Sequence, residues 1–358
     1  MTHVFVAPHP DDVALSCGGL IASLRELGQT VTIITVFSGE EVDGSAPAGI
    51  PVYEREALGF GSKTMWPSTE AFNRSSILPD YPQVPAWVAE DDRLEATQSD
   101  SDAAAKRFWQ RSSWYRRASI RAESIAGQAV IDDLSTQGAV VTDEILDAAA
   151  AGDLIARRRM EDERYAYFAE ASIVFLDQPD AVFRGYETEE QLLGGPREDD
   201  LQLAAMLKRE IERLEPQQIY LPLGVGGHVD HQLCRQAGVE LLGLGDRWVM
   251  PGPEYAGQVV FYEDFPYSLW SDFKGLDQLG ADAFADLPGS VSLFAAFADI
   301  TDQIEKKITG ISIYESQIER LFDGTRQMAD AVRSHGAALG VLGDVAGSAE
   351  RYWRTSRV

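Results

Sequence analysis

The sequence predicts an α/β protein built on a mostly parallel β-sheet with helices on both faces. Three segments near the start carry that expectation. Val4–Ala7 is a short apolar run of buried-strand type. Leu20 to Leu27 places apolar residues at helical spacing, and Gly28 is a fitting stop. Thr30 to Phe37 is a second apolar, β-branched run. A strand, a helix and a strand in so short a span form a βαβ unit, whose two strands run parallel.

The pattern then breaks. Residues 41–152 begin rich in Gly, Pro and Ser and become charged and Ala-rich, as in Ala103 to Ile131, with no strand pattern. This stretch reads as a helical insertion or cap. Its Trp109, Trp114 and Tyr115 are candidates for helix packing or for stacking on sugar rings. From Asp153 the α/β alternation resumes. Helices are expected at Leu154–Ala169, Leu201–Leu214 and His231–Leu242, and strands at Ser172–Leu176, Gln218–Leu223 and Val259–Tyr262. The turn Gly224-Val225-Gly226-Gly227 lacks the lysine and spacing of a phosphate-binding loop, so it is expected to let the backbone approach a bound ion closely. A charged amphipathic helix is expected over Thr301–Phe322. Residues 270–358 as a whole read as a mainly helical extension of one domain spanning 1–358.

Composition narrows the partners. There are 31 Lys and Arg against 57 Asp and Glu, a formal charge of −26. Such a surface repels phosphate backbones and anionic lipids, so nucleic acid and membrane surfaces are excluded as expected partners. Cys17 and Cys234 are too few for a disulfide framework. Met1–Ala7 is too short and lacks the basic flank of a secretory leader, and no run reaches the roughly 20 apolar residues of a membrane span. A cytoplasmic protein is the expectation.

The chemistry lies in two short motifs. Of five histidines, three fall in His9-Pro10-Asp11-Asp12 and His228-Val229-Asp230-His231, and each motif directly follows an expected strand. Ligands of open parallel sheets collect at the carboxyl ends of the strands, so both motifs are expected at one sheet edge. Imidazole and carboxylate together suit zinc or a similar divalent ion, and a catalytic site uses three such ligands. The two motifs offer more than three, so some of these groups must do other work: a base for water, or a partner for a developing oxyanion. Either motif alone would read as a helix cap or as satisfied histidines. His3 and His335 lack comparable surroundings.

The segments Ala7–Asp12 and Gly226–His231 resemble the two signature motifs of the PIG-L/LmbE-like de-N-acetylases. Further similar segments are Arg158–Glu161, Phe175–Asp180, Tyr262–Tyr267 and Tyr314–Ile318. The resemblance covers residues 1–40 and about 153–355 and skips the insertion. It implies a Rossmann-like fold and a zinc-dependent hydrolase, with one Zn2+ or another divalent transition metal per chain. The implied substrate is an N-acetylated sugar or glycoconjugate. Carried over, it implies His9, Asp12 and His231 as metal ligands and Asp11 as general base. It implies His228 as the group that stabilises the oxyanion or protonates the amine, with Asp230 orienting it. Arg158 and Asp180 match sugar-contacting positions more loosely. Asp12, three residues after His9, is the better ligand of the adjacent pair, since one tight turn does not easily present both carboxylates to one ion. Val13 departs from the family, where many members carry a glutamate. Two alternatives remain open: hydrolysis of another N-acyl amide, on a glycopeptide or thiol conjugate, and a non-catalytic sugar-binding metal module.

Overall fold

A computed structural model describes residues 1–39, 143–243, 258–279, 283–285 and 287–357. Most of the 41–152 insertion, with Trp109, Trp114 and Tyr115, lies outside the described residues. The chain opens β1 (Thr2–Ala7), α1 (Asp12–Glu26), β2 (Thr30–Thr35). It continues α2 (Asp143–Phe168), β3 (Ser172–Phe175), α3 (Leu201–Arg213), β4 (Gln218–Pro222), α4 (Val229–Gly243) and β5 (Val259–Tyr262). It closes with β6 (Val291–Asp299), α5 (Ile304–Ile311), α6 (Glu315–Phe322), α7 (Thr325–Leu342) and β7 (Ala349–Arg357).

The strands form a seven-stranded sheet in the order β3-β2-β1-β4-β5-β7-β6. β1 to β5 pair in parallel, and β7 joins β5 and β6 antiparallel. Strand alternation sorts the core onto two faces. Phe5, Val31, Ile33, Tyr220, Val260 and Tyr262 face the layer that holds α1, α5, α6 and α7. Val4, Val6, Ile34, Ile219, Leu221 and Phe261 face the layer that holds α3 and α4. Val13 packs into the first of these layers. Near-continuous apolar strands are what a parallel sheet covered on both faces requires.

Two features of the last 90 residues differ from the sequence reading. The stretch supplies two strands to the sheet, because residues of β6 and β7 pair along their whole lengths. The expected helix over 301–322 is two helices, interrupted at Ser312–Tyr314 where the Tyr314 side chain turns inward to hydrogen-bond Asp162 (2.5 Å). Among the described residues, no helix is long and apolar enough to cross a membrane.

The order of the strands decides where a ligand can sit. The chain runs outward from β1 through β2 to β3, then returns to the other side of β1 with β4 and β5. The reversal falls between β1 and β4, and the crevice outside the carboxyl ends of those two strands is where open α/β sheets bind ligands.

Candidate metal centre

The loops after β1 and β4 both open into that crevice, and each brings its motif with it. His9 and Asp11 lie in the turn into α1, and Asp12 is the first helical residue. Asp11 holds φ at 105°, a conformation uncommon outside glycine, and its side chain makes no capping hydrogen bond. The turn is therefore not an ordinary Asp cap. Asp12 Oδ2 instead accepts the His9 backbone N–H at 2.8 Å, which locks the loop. The start of α1 also supplies the positive end of a helix dipole to these carboxylates.

Asp12 Oδ2 lies 3.4 Å from His9 Nδ1 and 3.4 Å from His231 Nε2. His9, Asp12 and His231 are each less than a tenth exposed. His231 Nε2 is buried and makes no hydrogen bond among the described residues. A buried imidazole nitrogen left in that condition, facing a carboxylate and a second imidazole, fits a tetrahedral divalent ion. His9, His228 and Asp230 form a second group close enough to share an ion. There, however, Asp230 is already engaged. It takes His9 Nε2 at 2.9 Å, the Ala181 N–H at 3.1 Å and Arg184 Nη2 at 2.6 Å.

The electrostatics divide the paired aspartates. Burial pushes Asp11 up to about 8, with Asp12 adding to the shift and Arg158 opposing it from 3.8 Å. Burial would raise Asp12 as well, but His231 and His9 outweigh it and hold that carboxyl down to about 2. Burial lowers His228 to about 4, so its imidazole is neutral near pH 7. The Asp230 backbone N–H donates to His228 Nδ1 (3.3 Å), which places the imidazole hydrogen on Nε2. The Asp230 carboxylate is 4.0 Å from His228 Nδ1 and bonds His9 instead. The orienting contact expected from the Asp230 side chain is thus made by its main chain.

Arg158 and Asp180 both reach the site. Arg158 Nη2 donates to Pro10 O at 3.2 Å and its Nη1 is 3.9 Å from Asp180 Oδ2. Asp180 Oδ2 is 3.5 Å from His9 Nε2, and Asp180 also caps a short turn by accepting the Val182 N–H. With Phe37, Leu154 and Phe183 they line a small cleft beside the site. His3 and His335 lie elsewhere, against Tyr220 and Ser268 respectively.

The glycines of the turn after β4 make room for neighbouring side chains. Gly224 and Gly226 take φ of 80° and 87°, and a Cβ there would meet Arg235 and Tyr267, at 2.5 and 2.6 Å. Their bareness admits those side chains. Two contributors escaped the sequence reading. Arg184, stacked 4.7 Å over Phe37, anchors Asp230 and carries no local signal. Asp264 accepts from His231 Nδ1 at 2.7 Å; it lay in the family-like segment Tyr262–Tyr267 without an assigned role, and its place just after β5, at the same sheet edge, is the signal that would have given it one.

The profile of the GlcNAc-PI de-N-acetylase (PIG-L) family matches residues 4–59. The chain is 31% identical over 167 residues to 2'-N-acetylparomamine deacetylase of Streptomyces fradiae, covering 46% of this chain and 54% of the relative. It thus spans about half the length of that curated relative. Among solved structures, the zinc-inhibited form of teicoplanin deacetylase Orf2 superposes with a TM-score of 0.56 at 17% identity, over 100% of this chain and 99% of that one. The A40926 pseudoaglycone deacetylase Dbv21 gives 0.53 at 18%, over 99% and 97%. At those identities the structural likeness is one of fold, and it extends over the full length of the chain. Both signature motifs, the family match over residues 4–59 and the fold agree in their likeness to the PIG-L/LmbE-like de-N-acetylases.

Proposed function

We propose that this protein is a metal-dependent amidohydrolase that removes an N-acetyl group from an amino-sugar substrate, releasing acetate and a free amine. The observation that carries the reading is the buried corner of His231 Nε2, Asp12 Oδ2 and His9 Nδ1, with the Asp11 carboxyl beside it. The likeness to GlcNAc-PI and 2'-N-acetylparomamine de-N-acetylases supports an N-acetylated sugar as the substrate class.

His9, Asp12 and His231 would hold the ion, and two imidazoles with one carboxylate suit zinc. When bound, zinc supplies Lewis-acid polarisation and lowers the pKa of water toward ~7. Asp11 is the general base: it takes a proton from the attacking water and can return it to the departing amine nitrogen. A carboxyl that burial has pushed up binds a proton more readily than an ordinary surface aspartate, and Arg158, 3.8 Å away, opposes that rise. His228, neutral with its hydrogen on Nε2, donates that hydrogen to the oxyanion as the acyl carbon becomes tetrahedral. Arg158 and Asp180, in the cleft beside Asp11, are assigned to the sugar hydroxyls.

The test is acetate release by the zinc-loaded protein from N-acetylglucosamine, N,N'-diacetylchitobiose, 2'-N-acetylparomamine and an N-acetylglucosaminyl glycopeptide. Acetate and free amine should appear in equal amounts from at least one. Zinc binding with no acetate from any of them would favour a non-catalytic module and overturn the proposal.

A further inference from the structure

Asp264 lies two residues beyond β5, in the Tyr262–Tyr267 segment, and the mechanism above gives it no role. It is 1% exposed. Its Oδ1 is 2.7 Å from His231 Nδ1, and its Oδ2 accepts the backbone N–H groups of Gly224 (2.7 Å) and Val225 (2.9 Å). One carboxylate therefore joins three segments: the end of β5, the loop after β4, and the first turns of α4, which carries His231.

Closing the loop after β4 explains only half of these contacts. The two amides need Oδ2 alone. Oδ1 is spent on the imidazole, and a carboxylate is only an acceptor, so Nδ1 must carry the hydrogen. The Nε2 lone pair then faces Asp12, at the corner where no hydrogen bond satisfies it. Tyr267 packs edge-on against the same imidazole with ring centroids 5.3 Å apart, and the Phe265 N–H bonds Ser16 Oγ of α1 at 3.1 Å. The segment that supplies Asp264 is itself pinned to the helix that supplies Asp12.

We propose that Asp264 is the positioning residue of the metal centre: it fixes the tautomer and the ring orientation of His231 and so sets how tightly the ion is held. The inference rests on the reading of His9, Asp12 and His231 as the ligands. Carboxylate partners of ligand histidines commonly contribute 10- to 100-fold in metal affinity. Asp230 stands toward His9 Nε2 in the same relation, but it also serves Arg184 and Ala181. Asp264 is the cleaner probe.

The experiment compares zinc affinity of the wild type, Asp264→Asn and Asp264→Ala by competition with a chelator, with folding followed by circular dichroism. In the same series, 15N NMR of zinc-loaded wild type reads which nitrogen of His231 bears hydrogen. Asn keeps one acceptor for the imidazole but sets an amide group against the Gly224 and Val225 donors, so its loss should be the smaller. We expect about 10- to 100-fold weaker zinc binding in folded variants and a hydrogen on Nδ1 in the wild type. Wild-type affinity in a folded variant, or a bare Nδ1, would overturn the role of Asp264. If neither variant folds, the NMR result on the wild type decides. A wild type that holds no zinc would instead remove the ligand reading, and the role of Asp264 with it.

Discussion

Two clusters of buried charge flank α1, and they are built to opposite ends. In one, Glu350 of β7 accepts from Lys307 Nζ (2.7 Å), Tyr352 Oη (2.7 Å) and the N–H groups of Gly19 and Leu20 (both 2.9 Å). Every strong donor there has been given an acceptor, and the cluster ties the antiparallel edge of the sheet to α1. In the other, Asp12 and two imidazoles converge, yet His231 Nε2 is left with no hydrogen bond and Asp11 is pushed up by burial beside Arg158. Burial alone does not separate structure from function, since both clusters are buried. Completeness does. A closed network stabilises the fold, whereas an open one stores an affinity for something that is not protein.

Substitutions should break this contrast in order of size. The largest effect belongs to Asp11→Asn. It is nearly isosteric, so zinc content and folding should stay close to wild type while turnover falls by on the order of 10²–10⁴-fold. Loss of zinc from that variant would make Asp11 a ligand instead. Next comes Glu350→Ala in the closed cluster, which strands a buried lysine and should cost about 3–5 kcal/mol of stability. Denaturant titration reads it, and activity per folded molecule should not change. A drop in activity at full folding would merge the two clusters into one functional unit.

The smallest effect is read by pH at a third buried carboxyl. Burial raises Asp162 to about 6, although Thr35 and Tyr314 both hydrogen-bond it at 2.5 Å. A folded-state value above the unfolded 3.8 means the folded chain binds the extra proton, so stability is greatest below about pH 4 and falls as pH rises through 6. Between pH 4 and 7, Asp162→Asn should gain on the wild type by about 2–3 kcal/mol. A constant difference across that range would mean Asp162 is not a proton-binding group of the core.

Much of the site was legible because two rules act locally. Apolar runs gave β1, β2, β4 and β5, and residues just past a parallel strand must fall at one edge, so the two histidine motifs could be joined across more than 200 residues. What stayed hidden depends on pairing between distant segments. β6 reads Val291-Ser-Leu-Phe-Ala-Ala-Phe-Ala-Asp, with no clean alternation, and it is held by β7, whose partners lie 50 to 66 residues later, as in Asp299 opposite Ala349 and Val291 opposite Arg357. The start of α1 at Asp12 was masked by the HPDD turn, which looks like a loop and leads directly into the helix. Arg184 is one of many arginines until Asp230 and Phe37 are seen beside it. Asp230 shows the limit of carrying roles by motif alone: the residue is at the site, and its carboxylate serves His9 while its backbone serves His228.

The central claim is that His9, Asp12 and His231 together hold one divalent ion. Elemental analysis of the purified wild type, His9→Ala and His231→Ala, with folding checked on the same samples, tests it most directly. The account predicts about one zinc or similar ion per wild-type chain and none retained by either folded variant. Full metal occupancy in a folded His231→Ala protein would contradict it.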